Sequence, residues 1–283
     1  MFRKSFTLTN GSGELIRGDL RYSEGTKNAP VIIICHGFKG FKDWGFFPLV
    51  SENLAHDGYV TIIFNFSRNG IGSDFQNFTE LDKFEQNTFS HELADLKCIV
   101  DAVEQGEIGK GIIDSEKIGL LGHSRGGGVA LLYASKDERI QSLVTWSAIA
   151  KVDRYNEEEK KRWKKEGFIE VENKRTKQIF KIGKTFLEDI TKNSKKLDIR
   201  DAASELDIPT LIIHGEQDEA VPVDEAKRIY EKLNTYSKAL EIIEDATHTY
   251  GMSHPVEGIS RQYEIVFDLT ESWFDNHLNI WPE

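Results

Sequence analysis

The chain has 283 residues, of which 39% are hydrophobic and 11% aromatic, and a mean hydropathy of -0.44, values of an ordinary water-soluble globular protein. Its formal charge of -11 excludes general nucleic-acid binding, because a phosphate backbone would be repelled rather than neutralised. No run approaches the roughly 18 apolar residues of a transmembrane helix, and the basic start Met1-Phe2-Arg3-Lys4-Ser5 has no apolar segment behind it, so no membrane partner is expected and a cytoplasmic location is.

In chain order, residues 5–9 and 15–21 predict a hairpin about Asn10-Gly11-Ser12-Gly13. Apolar, β-branched runs then recur at 31–35, 60–64, 118–121, 142–146, 210–214 and 239–243. Their lack of polar alternation suits strands covered on both faces. Between them Phe89, Leu93, Leu96, Val100 and Val103 form the stripe of an amphipathic helix, and further helices are predicted at 46–56, 124–135, 224–233 and 259–277. Strands alternating with helices predict an α/β fold with a mostly parallel central sheet and helices on both faces, whose binding sites lie beyond the C-terminal strand ends. Cys35 and Cys98 are the two cysteines; they lack metal-ligand spacing and are expected to be buried thiols.

Residues 151–200 interrupt this rhythm. They hold 16 Lys and Arg against 10 Asp and Glu, a net of +6, while the remainder carries -17. The contrast marks a small inserted lid, with 1–150 and 201–283 forming the core domain. Within it 156–165 and 186–191 predict helices, and 168–172 and 178–182 predict strands about the turn Asn173-Lys174-Arg175-Thr176. Its positive charge suits either a solvated face or attraction of anionic substrates.

Gly122-His123-Ser124-Arg125-Gly126 has the form G-x-S-x-G, with the apolar run Ile118-Gly119-Leu120-Leu121 before it and Val129-Ala130-Leu131-Leu132-Tyr133 after it. That strand-turn-helix context holds a nucleophilic serine on a tight turn; by itself the motif also suits a plain glycine-rich turn. A serine hydroxyl needs a base. Of eight histidines, chain order leaves His214, His248, His254 and His277. His248 follows the strand at 239–243; His214 ends its own strand too early, His254 before Pro255 suits a cap or the surface, and His277 lies late in a helix. The orienting acid is expected at Asp218, in the loop after the strand at 210–214, with Glu216, Glu219 and Asp153 as rivals. Oxyanion donors are expected from the backbone N–H groups of Phe38, in His36-Gly37-Phe38-Lys39-Gly40, and of Arg125.

Taken together, His36-Gly37-Phe38, the 65–73 loop, Gly122-His123-Ser124-Arg125-Gly126-Gly127, His214-Gly215-Glu216-Gln217-Asp218 with Val221-Pro222, and Thr247-His248 resemble the α/β-hydrolase family. Within it they are similar to the bacterial cinnamoyl or feruloyl esterase, dienelactone-hydrolase-like and serine-aminopeptidase-like branches, over roughly residues 15–277. The resemblance implies hydrolysis of a small-molecule ester through an acyl-enzyme, without metal or organic cofactor, and a lid where 151–200 lies. Two positions depart from it: Arg125 stands where the esterase branch often has an uncharged residue, and the loop at Asn65 lacks an acidic start. Thioester or aminopeptidase-type amide hydrolysis would use the same machinery, and a non-catalytic binding module would be expected to lack a triad member. A serine at the elbow disfavours epoxide or haloalkane chemistry, which uses an Asp there.

Overall fold

The computed structural model describes residues 1–278. Strands β1 (Phe2–Thr9) and β2 (Leu15–Tyr22) form the N-terminal hairpin; β3 (Ala29–Cys35), α1 (Phe47–His56), β4 (Val60–Asn65), α2 (Leu81–Glu85), α3 (Phe89–Glu104), β5 (Ile113–His123), α4 (Arg125–Ala134) and β6 (Ile140–Trp146) follow. Next come α5 (Glu157–Glu166), the strands β7 (Phe168–Glu172) and β8 (Ile179–Gly183), α6 (Lys184–Lys192) and α7 (Ile199–Glu205). The chain then returns to the sheet with β9 (Thr210–Gly215), α8 (Asp224–Lys232), β10 (Lys238–Ile243) and α9 (Arg261–Leu278).

The main sheet has the order β1-β2-β4-β3-β5-β6-β9-β10. From β4 to β10 neighbouring strands are parallel, whereas β1 and β2 add an antiparallel edge. Strand β3 explains why unbroken apolar runs form these strands. Every one of its residues is buried, and the alternation of a strand sends Ile32 and Ile34 to one core with residues of α1 and α9, and Val31, Ile33 and Cys35 to the other with residues of α3 and α4. The expected stripe on α3 is there, with Phe89, Leu96, Val100 and Val103 buried and Thr88 capping the helix by accepting from the His91 amide.

Residues of the charged segment dock firmly. Trp163, Phe180 and Phe186 join the larger core; the Phe180 ring lies 4.9 Å from that of Phe78 and 4.7 Å from that of Phe84. Its expected hairpin pairs Phe168 with Gly183 through Glu172 with Ile179. Helix α7 runs across residue 200, and its Ile199, Ala202 and Ala203 are all buried, so the charge contrast ends inside a packed helix. Two expectations need correction. Cys98 is only partly buried, because its position lies at the edge of the α3 apolar stripe. His254 neither caps α9, which starts at Arg261, nor stands free: its Nδ1 accepts the Gly45 amide at 3.0 Å, and its ring packs against Phe41 and Trp44. Among the described residues no helix is long and apolar enough to cross a membrane.

Candidate active site

The sheet reverses its winding at β3, which has β4 on one side and β5 on the other; beyond the C-terminal ends of such strands a crevice opens. Ser124 sits there, between the end of β5 and the start of α4, with φ 57° and ψ -120°. A non-glycine residue at positive φ costs on the order of 1–3 kcal/mol. Surrounding contacts hold it: the Ser124 amide donates to Trp146 O at 2.8 Å, and its carbonyl accepts from Gly127 and Gly128. The flanking glycines are required by space. A Cβ on Gly122 would come within 2.5 Å of Gly126 O, and one on Gly126 within 2.4 Å of the carbonyl oxygens of Cys35 and His36.

His248 lies in the loop after β10. Its Nε2 is 3.0 Å from Ser124 Oγ, and its Nδ1 is 2.7 Å from Asp218 Oδ2. A carboxylate can only accept, so Nδ1 carries the proton and Nε2 is left to accept from the serine hydroxyl. Asp218 is fully enclosed. Burial works against its ionisation, but the His214 and His248 imidazoles and the Val221 amide outweigh it and hold the carboxyl well below the usual range. Oδ1 accepts the Ala220 and Val221 amides at 2.9 and 2.8 Å. The rival acids lie elsewhere: Asp153 pairs with Lys160, Glu216 accepts the Asp245 amide, and Glu219 is exposed.

Three further histidines support this arrangement. His214 is fully buried; its Nε2–H donates to Val221 O at 2.7 Å and lies 3.4 Å from Asp218 Oδ2, steadying the acid's loop. His123 donates from Nε2 to His248 O at 2.9 Å. Burial and the neighbouring His248 push its imidazole down to about 3, so it stays neutral. His36 donates from Nδ1 to Gly37 O and accepts from the Phe66 amide and Asn69 at 3.3 Å each, tying the loop after β3 to that after β4. The sequence signals none of these supporting roles, although His36 and His123 stand inside the His36-Gly37-Phe38 and Gly122-His123-Ser124-Arg125-Gly126 motifs and His214 ends a strand.

The residues expected to supply oxyanion donors are both beside the serine. Phe38 follows Gly37, where an added Cβ would lie 2.9 Å from Ser124 Cβ, and Arg125 opens α4. The Arg125 side chain is folded inward: its Nε donates to Glu92 Oε2 at 2.8 Å, and its guanidinium lies 4.2 Å from the Phe89 ring and 4.9 Å from that of Phe186. Glu92, on α3, is the partner that sequence reasoning missed.

Two cavities meet at Ser124 and His248. One, of about 390 Å³, is walled largely by Phe89, Ile149, Val152, Tyr155, Phe186 and Val221. The other, of about 270 Å³, has Trp44 and Phe47 in its wall and Lys39, Lys174 and Arg175 around it. Phe38 and Lys39 separate them, lining both.

Comparison with known proteins fits this architecture. The profile of the dienelactone hydrolase family matches residues 16–278. An uncharacterized 31.7 kDa protein of the traX-finO intergenic region of Escherichia coli is 25% identical over 290 aligned positions, covering 91% of this chain and 94% of that one. The 2,6-dihydropseudooxynicotine hydrolase of Paenarthrobacter nicotinovorans is 25% identical over 240 positions, 81% of this chain and 55% of its own length. Among solved structures, Est1E from Butyrivibrio proteoclasticus with ferulic acid bound has a TM-score of 0.71 at 20% identity, covering 97% of this chain and 99% of that one.

Proposed function

The chain belongs to the dienelactone hydrolase family, has the α/β-hydrolase fold and is a hydrolase; on that premise we propose that it cleaves carboxylic esters through an acyl-enzyme on Ser124. One observation carries this reading: His248 is within hydrogen-bond reach of Ser124 Oγ on one side and of an enclosed, ionised Asp218 on the other. Ser124 Oγ attacks the ester carbonyl while His248 Nε2 takes its proton, and Asp218 stabilises the imidazolium. The Phe38 and Arg125 amides receive the oxyanion, aided by the N-terminus of α4. His248 then protonates the leaving oxygen, and water releases the acyl group by the same steps.

Segment 151–200 acts in this reading as a lid that completes the acyl pocket, because Val152, Arg154, Tyr155 and Phe186 line the larger cavity. Its aromatic walls suit an aromatic acyl group, as the ferulic acid bound to Est1E would be. An aminopeptidase reading is less favoured: among the described residues lining the two cavities none is an Asp or Glu that would hold a substrate ammonium.

Two variants test the proposal. A fluorophosphonate probe is expected to label the wild type and not Ser124→Ala. Asp218→Asn is expected to keep the fold and lose on the order of 10⁴ in kcat through the wrong imidazole tautomer. Undiminished labelling of folded Ser124→Ala, or a larger loss from Asp153→Asn or Glu216→Gln than from Asp218→Asn, would overturn the assignment.

A further inference from the structure

The two cavities at Ser124 differ in how their charges are matched. At the larger one both arginines have carboxylate partners, Arg125 with Glu92 at 2.8 Å and Arg154 with Glu225 at 3.1 Å. Lys39 borders both cavities, and at the smaller one Lys174 and Arg175 join it; among the described residues none of the three has a carboxylate within 4.0 Å. Lys39 Nζ donates to the backbone carbonyl of Glu172 at 3.1 Å, which pins it to the hairpin without neutralising it. The Arg175 guanidinium sits 5.8 Å from the Phe41 ring. On the same turn Lys177, outside the cavity, does find a carboxylate, Glu172, at 3.5 Å. In a chain of net charge -11, three unmatched cations about one cavity are a local reversal of sign.

The smaller cavity also lies on the imidazole side of the serine. Both cavities border His248 itself, but its neighbours Thr249 and His123, whose Nε2 donates to His248 O, line the smaller one alone, whereas Arg125 and Ile149, from the elbow side, line the larger one. The group that His248 protonates is the departing oxygen, so the leaving group occupies the imidazole side. We propose that the smaller cavity is a leaving-group subsite selective for esters whose alcohol carries a negative charge, held by Lys39, Lys174 and Arg175. The inference rests on the ester-hydrolase reading above. In the step concerned, the bond from Ser124 Oγ to the acyl carbon forms and the bond from that carbon to the leaving oxygen breaks. The proton on His248 Nε2 passes to that oxygen, and the product is an anionic alcohol still seated among the cations. Trp44 and Phe47 add an apolar surface that favours an aromatic body for it.

The test uses 3-acetoxybenzoate and 3-acetoxybenzamide, which share an acetyl group and differ in the charge of the leaving phenol. With each rate divided by that of alkaline hydrolysis, the wild type is expected to favour the anion in kcat/KM by about tenfold at low salt, falling as salt is added. Lys174→Glu/Arg175→Glu, both on the exposed turn, is expected to abolish or invert the preference, and Lys174→Gln/Arg175→Gln to reduce it, with circular dichroism confirming the fold. Calorimetry on Ser124→Ala separates the two readings: 3-hydroxybenzoate is expected to bind more tightly than 3-hydroxybenzamide, and the charge reversal to remove the difference. That result with no turnover of either ester would retain the anion subsite and sink the ester-hydrolase reading. Equal handling of both esters, or a preference that survives charge reversal, overturns the proposal. So does a charge-dependent preference that appears only between monophenyl succinate and phenyl butyrate, where the anion is in the acyl part.

Discussion

Removing the carboxylate of Glu92 tests whether the pair beneath the larger cavity holds the fold together. Arg125 Nε and Glu92 Oε2 are 2.8 Å apart, with side chains 8% and 6% exposed. That burial puts the contact in the class where deleting one partner costs about 3–5 kcal/mol, not among surface pairs worth about 0–1 kcal/mol. Glu92→Met would leave the guanidinium with the rings of Phe89, Phe186 and Phe38 for company; such contacts return up to about 2 kcal/mol when desolvated, and they are already present. The expected loss is therefore near the lower figure, about 3 kcal/mol. Arg125→Met is expected to cost as much, since Glu92 then keeps only Asn87, at 2.8 Å. The double variant, with two thioethers in the same space, is expected within about 1 kcal/mol of the wild type. Urea unfolding followed by tryptophan fluorescence measures all four proteins, and the coupling free energy follows from the cycle. A loss below about 1 kcal/mol for Glu92→Met, or single effects that simply add, would refute the reasoning.

Phe186 lines the larger cavity while Phe180 packs only within the core, so Phe186→Ala is expected to change kcat/KM for an aromatic ester relative to an acetyl ester by about 10- to 200-fold; equal effects on both esters would contradict the lid's role. Phe180→Ala is expected instead to cost about 3–5 kcal/mol of stability and to leave that ratio alone, read by denaturation and by the same two esters. Burial, with Arg125 nearby, pushes His36 down to about 4 against a donor bond to Gly37; the unfolded chain therefore takes up the proton first. His36 thus stabilises the fold fully above about pH 6.5, and that contribution is lost as pH falls towards 4, by up to about 1.4 kcal/mol per pH unit. Folded His36→Asn is expected to show a shallower acid slope in urea titrations, and an unchanged slope would contradict the assignment.

Features that live in short windows were legible in the sequence. The β-branched runs, the α3 stripe and the strand before Gly122 each depend on residues within a few positions of one another, as does the hairpin turn, where Asn173 Oδ1 accepts the Arg175 amide. What could not be read were partnerships across the chain. Glu92 was one charge among many on a helix until α4 placed Arg125 against it, and His254 looked like a cap because its acceptor role, to Gly45, depends on a loop from the other end of the sequence. The end of the charged segment at 200 and the helix that crosses it follow different signals: charge reports which side chains face water, while α7 continues through that point because Ile199, Ala202 and Ala203 face inward. His214 illustrates the limit at the site itself, since a buried histidine that steadies an acid carries the same letter as one that acts as a base.

The strand order sets when such a site comes into being. Ser124 and His248 are 124 positions apart, and the loop bearing His248 follows β10, an edge strand that among the described residues pairs only with β9, in parallel. A chain emerging from the ribosome would form its elbow early and hold Ser124 with no imidazole beside it until the last parallel strand docked. Closing contacts of such long sequence separation is slow. Under the proposed mechanism, regained ester turnover after dilution from denaturant would therefore report the final long-range docking step, later than the return of helix signal, and a chain stalled short of that step would be folded in part yet chemically silent.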